Sequence, residues 1–508
     1  MFATRQMWVL CALTVASALT AGLVPAPDNE AALDGQGRPA AVADVRHGHM
    51  AARDIERPDD ANGGATTEGG DRRATDWSTP ETAPGMSRLF LGKQTDAEGN
   101  RDVWMFIGNM AYRSTGHGAF QEVGDMGMTL SPGAYDPFTA VIDQNDNVMV
   151  FGENIDGGVK MVRYEAGTGW SAPTELYHGE VYQLHAQADE NDNVIVVMDG
   201  AYRIYDATTA TWGDLQPILL PGGRLPETMS KDYTASHRLV SNRSGSAIYL
   251  LYLVRDQLVG SEYPEDIVCL NYPWQLSCVC VNRYDPVTRQ FSRAEVIPNT
   301  WMASGGSGAA YAPMLATVDN VGNLTVLWSR GENGSSRQRV CASRLHNGVW
   351  QPTHEIAVRG NDDLNAFRQS SIDVNAAGDI VAVFIGKSDI QLDFGVVKCY
   401  AARYRAADDQ WDAATLVHGT PSDPYINPVR CCFYEGEQAV LTMRTEAMAG
   451  QVRSGSFLYD GTRWMTEPLY AGTSGALGGQ ELVSDNGEVL WLFSEDSDYW
   501  STWLRSTP

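Results

Sequence analysis

The residues of this 508-residue chain best suited to chemistry are aromatics and arginines that recur at corresponding places. Tyr135, Tyr182, Tyr233, Tyr311, Phe367 and Tyr425 each stand shortly before an apolar run, and Arg238, Arg368 and Arg430 follow three of them closely. Rings with polar tips stack on sugar faces and other flat, half-apolar ligands. Guanidinium groups gathered in one place take a carboxylate, sulfate or phosphate bidentately. Each set also has a structural role open to it: the rings pack on a neighbouring repeat, and the arginines pair with local Asp and Glu. No other constellation suggests catalysis. His185, His237, His346 and His354 lack metal-ligand spacing, no Gly-x-Ser-x-Gly elbow occurs, and no cofactor or metal is implied.

The elements that must position these residues are repeats, most legible from Thr317 to Pro352. There an Asp319-Asn-Val-Gly-Asn323 turn leads into an apolar run ending at Trp328, a further strand closes with Arg344-Leu345, and Asn347-Gly348 precedes a strand at Trp350. The runs have strand length, and Gly and Asn supply the positive φ that tight hairpins need. Equivalent turns start at Asp143, Asp189, Ser244, Asn375, Glu435 and Asp485; equivalent strand ends are Arg163-Tyr164, Arg203-Ile-Tyr205, Arg283-Tyr284 and Arg403-Tyr404; last strands open at Phe120, Trp170, Trp212, Phe291, Trp350, Trp411 and Trp464. Units of this length with four strands each predict an all-β, seven-bladed β-propeller. It begins on a last strand at Phe120, ends on inner strands from Trp491 to Leu504, and closes by pairing N- and C-terminal strands. Asp102 to Ile107 offers a further strand, so eight blades is the alternative. In such a ring the crossing loops surround one mouth of the channel, which would bring the aromatics and arginines together. An insertion from Asp256 to Ser277, carrying Tyr263, Tyr272 and Trp274, should fold over one face.

Ahead of the ring, residues 1–18 read as a signal peptide, with an apolar stretch from Met7 and the small residues Ala16-Ser17-Ala18. Residues 19–86 read as a disordered linker poor in large apolar side chains, and 87–508 as the propeller. No stretch of the mature chain is apolar enough to span a bilayer, and the formal charge of −26 disfavours nucleic-acid partners. Secretion permits disulfides. Cys269 and Cys278, bracketing the insertion's end, are the expected local bridge, while Cys280, Cys341 and Cys399 occupy like places in three repeats and could reach Cys431 or Cys432.

The units, read as Asp-x-x-Gly/Asp-Asn, then Arg-Tyr, then Gly/Asp-x-Trp, resemble repeats of secreted bacterial β-propellers of the sialidase-like superfamily, over about Phe120 to Leu504. The resemblance implies the fold, and an arginine triad that Arg238, Arg368 and Arg430 could imitate. The nearest approach to a sialidase Asp box, Ser114 to Phe120, lacks its Asp and Thr, and no residue matches the Tyr-Glu nucleophile. The expected function is a secreted or surface-tethered monomeric propeller binding a carbohydrate or a protein of the cell surface at its channel mouth. The alternatives are a glycoside hydrolase or lyase acting on an acidic glycan, and a structural envelope protein.

Overall fold

The computed structural model describes residues 75–506 apart from 79–80, 86, 131–137, 154–157, 180, 182, 199, 220–236, 256–275, 301, 304–313, 332–337, 357–362, 388–396, 420–424, 447–451, 466–469, 475–479, 486 and 496–497. Within these residues every regular element is a strand, and the strands form eight antiparallel sheets of four to six strands. Seven are built in sequence order, with inner strands Leu89–Thr95, Phe138–Ile142, Leu184–Ala188, His237–Ser241, Leu315–Val318, Asp363–Val374 and Tyr425–Glu435 for blades 1 to 7. Blade 8 starts with Gln480–Asp485, continues through Glu488–Glu495 and Asp498–Ser506, and takes its outer strand from the other end of the chain: Thr75–Trp77 and Glu81–Thr82 both pair with Asp498–Ser506. Each inner strand abuts the next, and Gln480–Asp485 abuts Leu89–Thr95, which closes the circle.

The second strand of a blade shows why a ring is the stable solution. Val194–Met198 is buried at every position, a pattern a sheet adopts only when both faces are covered. Because side chains alternate along a strand, Ile195 and Val197 enter the core shared with blade 4, while Val194, Val196 and Met198 enter the core shared with blade 2. The same division recurs at all eight junctions, where each core draws on two adjoining blades. At about 1.5–3 kcal/mol for each fully buried large aliphatic, a blade on its own would forfeit most of its hydrophobic stabilisation.

The recurring Asp, Arg, Tyr and Trp prove to be one fastening. Asp143, Asp189 and Asp319 each accept hydrogen bonds from backbone N–H groups two and four residues on and from the following Asn side chain, an Asx turn that fixes the hairpin between the first two strands. The third-strand Arg then reaches back to that turn: Arg344 Nη2 lies 2.8 Å from Asp319 Oδ2, and Arg403 Nη2 lies 2.9 Å from Asp379 Oδ2. It also reaches forward to the next blade's Tyr, as Arg163 donates to Tyr205 at 2.8 Å and Arg403 to Tyr459 at 3.0 Å. That Tyr in turn packs on its own blade's Trp, with centroids 5.4 Å apart for both Tyr205–Trp212 and Tyr459–Trp464.

Eight blades, the alternative count, is thus the observed one. Phe120 does not open an orphan last strand; it precedes the fourth strand, Gln121–Asp125, of a complete first blade. The turn that would have disclosed this blade, Asp96-Ala-Glu-Gly-Asn100, has the same form as Asp319 to Asn323, and Asp96 accepts from the N–H groups of Glu98 and Asn100. Ring closure by the two ends of the chain does occur, but through residues 75–82, which lie within the stretch read as linker. Beside the closing strands, blade 1 clasps blade 8: His117 stacks on Trp503 at 3.9 Å, with its ring nitrogens 2.8 Å from Glu488 Oε2 and 3.1 Å from Asp485 Oδ2.

Disulfides are not seen among the described cysteines. Cys278, Cys280, Cys341, Cys399, Cys431 and Cys432 are buried free thiols. Cys278 and Cys280, two residues apart on one strand, point the same way into the core between blades 3 and 4, with sulfurs 3.9 Å apart. The expected bridge from Cys278 therefore gives way to packing; Cys269 lies outside the described residues. Cys399 and Cys431 do share the core between blades 6 and 7, as equivalent positions in adjoining units should, but as thiols.

Candidate functional site in the axial channel

Every inner strand begins where the chain crosses from one blade to the next, so the first residues of the eight inner strands ring one mouth of the channel. Arg88, immediately before the inner strand of blade 1, donates from Nη1 to the Phe138 carbonyl at 3.1 Å, with its guanidinium 5.8 Å from the centroid of the Phe138 ring. Arg238 is the second residue of the inner strand of blade 4. Arg430 projects from the inner strand of blade 7, and its Nη2 lies 3.5 Å from Oε1 of Glu481, which is itself on the inner strand of blade 8.

Blades 1, 4 and 7 are separated from one another by intervening blades, yet their arginines sense each other. Burial, and then the charges of Arg430 and Arg88, push the Arg238 guanidinium down to about 10. Groups on non-adjoining blades interact in this way only across the axis, where a low local dielectric strengthens the repulsion. Arg238 lies deep within the ring but keeps solvent exposure, as a channel-wall residue does. Among the described residues it has neither a carboxylate partner nor a hydrogen bond.

Two histidines complete this end. His185 and His237 sit on adjoining inner strands with rings 5.4 Å apart in a T-shaped arrangement. The His237 N–H donates to Gln183 Oε1 at 2.7 Å, while its buried Nε2 meets no partner among the described residues. Burial lowers His237 to about 4; burial, then His237, Arg238 and Arg88, hold His185 well below the usual imidazole range. Both rings are therefore neutral at pH 7. Among the described residues the mouth presents guanidinium groups, two imidazoles and the carboxylate of Glu481, which pairs with Arg430.

The opposite end of the channel differs. Lys93 of blade 1 crosses the axis to donate from Nζ to the Arg243 carbonyl of blade 4 at 3.2 Å. Its neighbour Arg101 is neutralised by Asp485, with Nε 2.6 Å from Oδ1, and Asp192 adds further negative charge. Lys93, Arg101 and the Arg243 side chain still repel one another, so cations gather at this end as well, with carboxylates beside them.

Of the residues expected to form the site, Arg238 and Arg430 are brought together. Arg368 and Phe367 fall on the inner strand of blade 6 and Tyr425 opens that of blade 7, but their side chains, like Tyr135, Tyr182, Tyr233 and Tyr311 entirely, lie outside the described residues. Sequence reasoning missed Arg88, whose signal was its place directly before Leu89-Phe-Leu in the unrecognised first blade, and it set His185 and His237 aside because neither has metal spacing. Among the described residues no group of three or more His, Cys, Asp or Glu is gathered as a metal would require.

Fold and site together define a β-propeller with a cationic axial mouth. No protein-family model and no curated protein matches the chain. Among solved structures it is similar to the polysaccharide lyase Uly1, at 11% identity and a TM-score of 0.44 over 85% of this chain and 100% of that one. It is also similar to the BP39L lectin of Burkholderia pseudomallei, at 13% identity and a TM-score of 0.41 over 76% and 99%, and to a mutant Aleuria aurantia lectin in complex with a fucoside, at 9% and 0.32 over 65% and 93%. Likenesses of this degree say nothing of activity.

Proposed function

We propose that the chain is a secreted or surface-tethered binding propeller that recognises an anionic carbohydrate, or a protein bearing one, at the crossing-loop mouth of its channel. One observation carries the reading: Arg88, Arg238 and Arg430 come from three separate blades, the charges of the other two bear on Arg238, and Arg238 has no carboxylate among the described residues to neutralise it. Holding like charges together in a partly desolvated site is unfavourable, and an anionic ligand relieves it. The net charge of −26 disfavours anion binding at the surface in general, so such binding needs a local gathering of cations. Secretion is supported by the signal-like residues 1–18. The test is a glycan array probed with wild type and Arg238→Ala: acidic glycans should be retained by the first and lost by the second. Equal retention by both would remove the mouth as the site.

One observation favours a second, enzymatic reading, a hydrolase or lyase acting on an acidic glycan. His185 stands beside Arg238 and Arg88, whose guanidinium groups could neutralise a substrate carboxylate. Incubation with acidic polysaccharides distinguishes the two: new reducing ends or unsaturated products that disappear in His185→Ala establish catalysis, and intact polymer leaves binding alone.

A further inference from the structure

The two ends of the channel are built differently, and the difference decides how a ligand can lie in it, an inference that rests on the binding reading above. At the end opposite the crossing loops stand the turns that join first and second strands. Each holds to its neighbour around the ring. Hydrogen bonds link blades 1 and 2, from Lys93 N to Asp146 Oδ1 at 2.8 Å, and blades 2 and 3, from Gln144 N to Asp192 Oδ1 at 2.9 Å. Others link blades 4 and 5, 6 and 7, and 8 and 1. At the remaining junctions a turn glycine, Gly245, Gly378 or Gly487, lies against the neighbouring blade. Gly245 is the tightest: its φ is +75°, and an added β-carbon would come within 2.5 Å of the Ala188 carbonyl oxygen of blade 3. The turns thus form a continuous collar.

Lys93 spans that collar. Its Nζ donates to the Arg243 carbonyl oxygen at 3.2 Å, from blade 1 to blade 4, past the two blades between them. A lysine side chain extends about 6 Å from Cα to Nζ, so the two backbones stand no more than about 10 Å apart here. Non-bonded carbons keep roughly 3.5–4.0 Å from one another, so a gap of this width holds a single file of atoms, and the lysine stem is that file. A sugar ring, several atoms across, does not pass where the strut lies. The cations assigned to ligand binding stand at the other end, and one of them is set inside the channel: Arg430 is the sixth residue of the strand Tyr425–Glu435, below the rim where that strand begins. A polymer lying flat across the rim does not reach it.

We propose that the channel is a well floored by Lys93, and that its ligand is the terminus of an anionic glycan chain inserted end-first from the crossing-loop side. An internal stretch of chain has to leave its site in two directions, and the well offers one. The selectivity that follows is for chain ends over chain interiors.

Unbranched polyanions of different length test this on the full chain. A short and a long fraction of polygalacturonate, and of cellulose sulfate, are each saturated with the propeller at physiological salt, and light scattering after size exclusion gives the mass of the complexes. End recognition expects one propeller per polymer chain in both fractions. Competition supplies a second readout: sulfated maltoheptaose should displace the polymer, whereas sulfated β-cyclodextrin, the same glucose units closed into a ring without ends, should not. Arg238→Ala and Arg430→Ala report whether the binding seen is at the mouth, and circular-dichroism melting shows which variants remain folded. Loading that grows with chain length, or equal displacement by the cyclic sugar, with binding lost in these variants, overturns end recognition and leaves the binding mouth standing. Binding unchanged in the folded variants, or binding of neither polymer, overturns both.

Discussion

Asp319→Ala should be among the most damaging single changes in the ring. The carboxylate accepts from Val321 N at 3.1 Å, Asn323 N at 2.8 Å, Asn323 Nδ2 at 2.8 Å and Arg344 Nη2 at 2.8 Å. Its side chain is 6% exposed and that of Arg344 9%, so truncation leaves a buried guanidinium whose Nε and Nη1 already lack partners among the described residues. Breaking a buried pair from one side costs about 3–5 kcal/mol, and the lost turn bonds add roughly 1 kcal/mol. Asp96 supplies an internal control: it forms the same turn in blade 1 but is exposed and has no arginine partner among the described residues, so Asp96→Ala should cost only about 1 kcal/mol. Guanidinium chloride unfolding followed by tryptophan fluorescence measures both. The double variant Asp319→Ala, Arg344→Leu should recover a large part of the loss, since removing both members of a buried pair is far less costly than removing one. Equal costs for Asp319→Ala and Asp96→Ala, or strict additivity in the double variant, would refute the account of the turn as a buried fastening.

Acid should act on the ring through groups of opposite sign. His237, held near 4 against about 6.5 unfolded, contributes stability that is complete above pH 6.5 and lost as pH falls to 4, about 3 kcal/mol in all. Asp373, raised to about 6 by burial, contributes in the other direction, fully below about pH 4 and lost as pH rises through 6. Asp373→Asn retains an acceptor for the Phe433 N–H, 2.8 Å away, so its stability relative to wild type should grow by about 2–3 kcal/mol between pH 4 and pH 7; a constant difference across denaturation curves at several pH values would refute this. Asp485 would be raised by burial alone, but hydrogen bonds from His117 and Arg101 hold it to about 2, so the clasp between blades 8 and 1 persists above pH 4 and is lost as pH falls through 2. Hydrogen exchange at pH 2 should show these two blades losing protection before the others. The six buried thiols should resist a charged disulfide reagent in the native protein and react together on unfolding, and burial raising Cys399, Cys431 and Cys432 acts in the same direction.

The scaffold was largely legible because its fastenings are local in sequence. An Asx turn needs residues four apart, and the alternation of a strand needs only its own length, so Asp143, Asp189 and Asp319 announced their hairpins directly. The meaning of the Arg-Tyr pair was not legible, because Arg163 spans to Tyr205 and Arg403 to Tyr459, contacts that exist only once neighbouring blades stack. Blade 1 entered only as the alternative count, from Asp102 to Ile107, because that strand was read without the Asp96 turn before it, which has the same form as the others. The site suffered for the same reason. Arg238 and Arg430 could be picked out by their place before apolar runs, whereas Arg88 belonged to the uncounted blade, and that the three meet depends on the number of blades in the circle.

The most direct test of that meeting is crystallographic. Selenate is a tetrahedral oxyanion located unambiguously by its anomalous scattering, and crystals soaked in it should show a peak on the channel axis at the crossing-loop mouth, bonded to guanidinium groups from blades 1, 4 and 7. Selenate bound elsewhere with an empty axis, or Arg88, Arg238 and Arg430 each turned to a carboxylate of its own, would contradict the account.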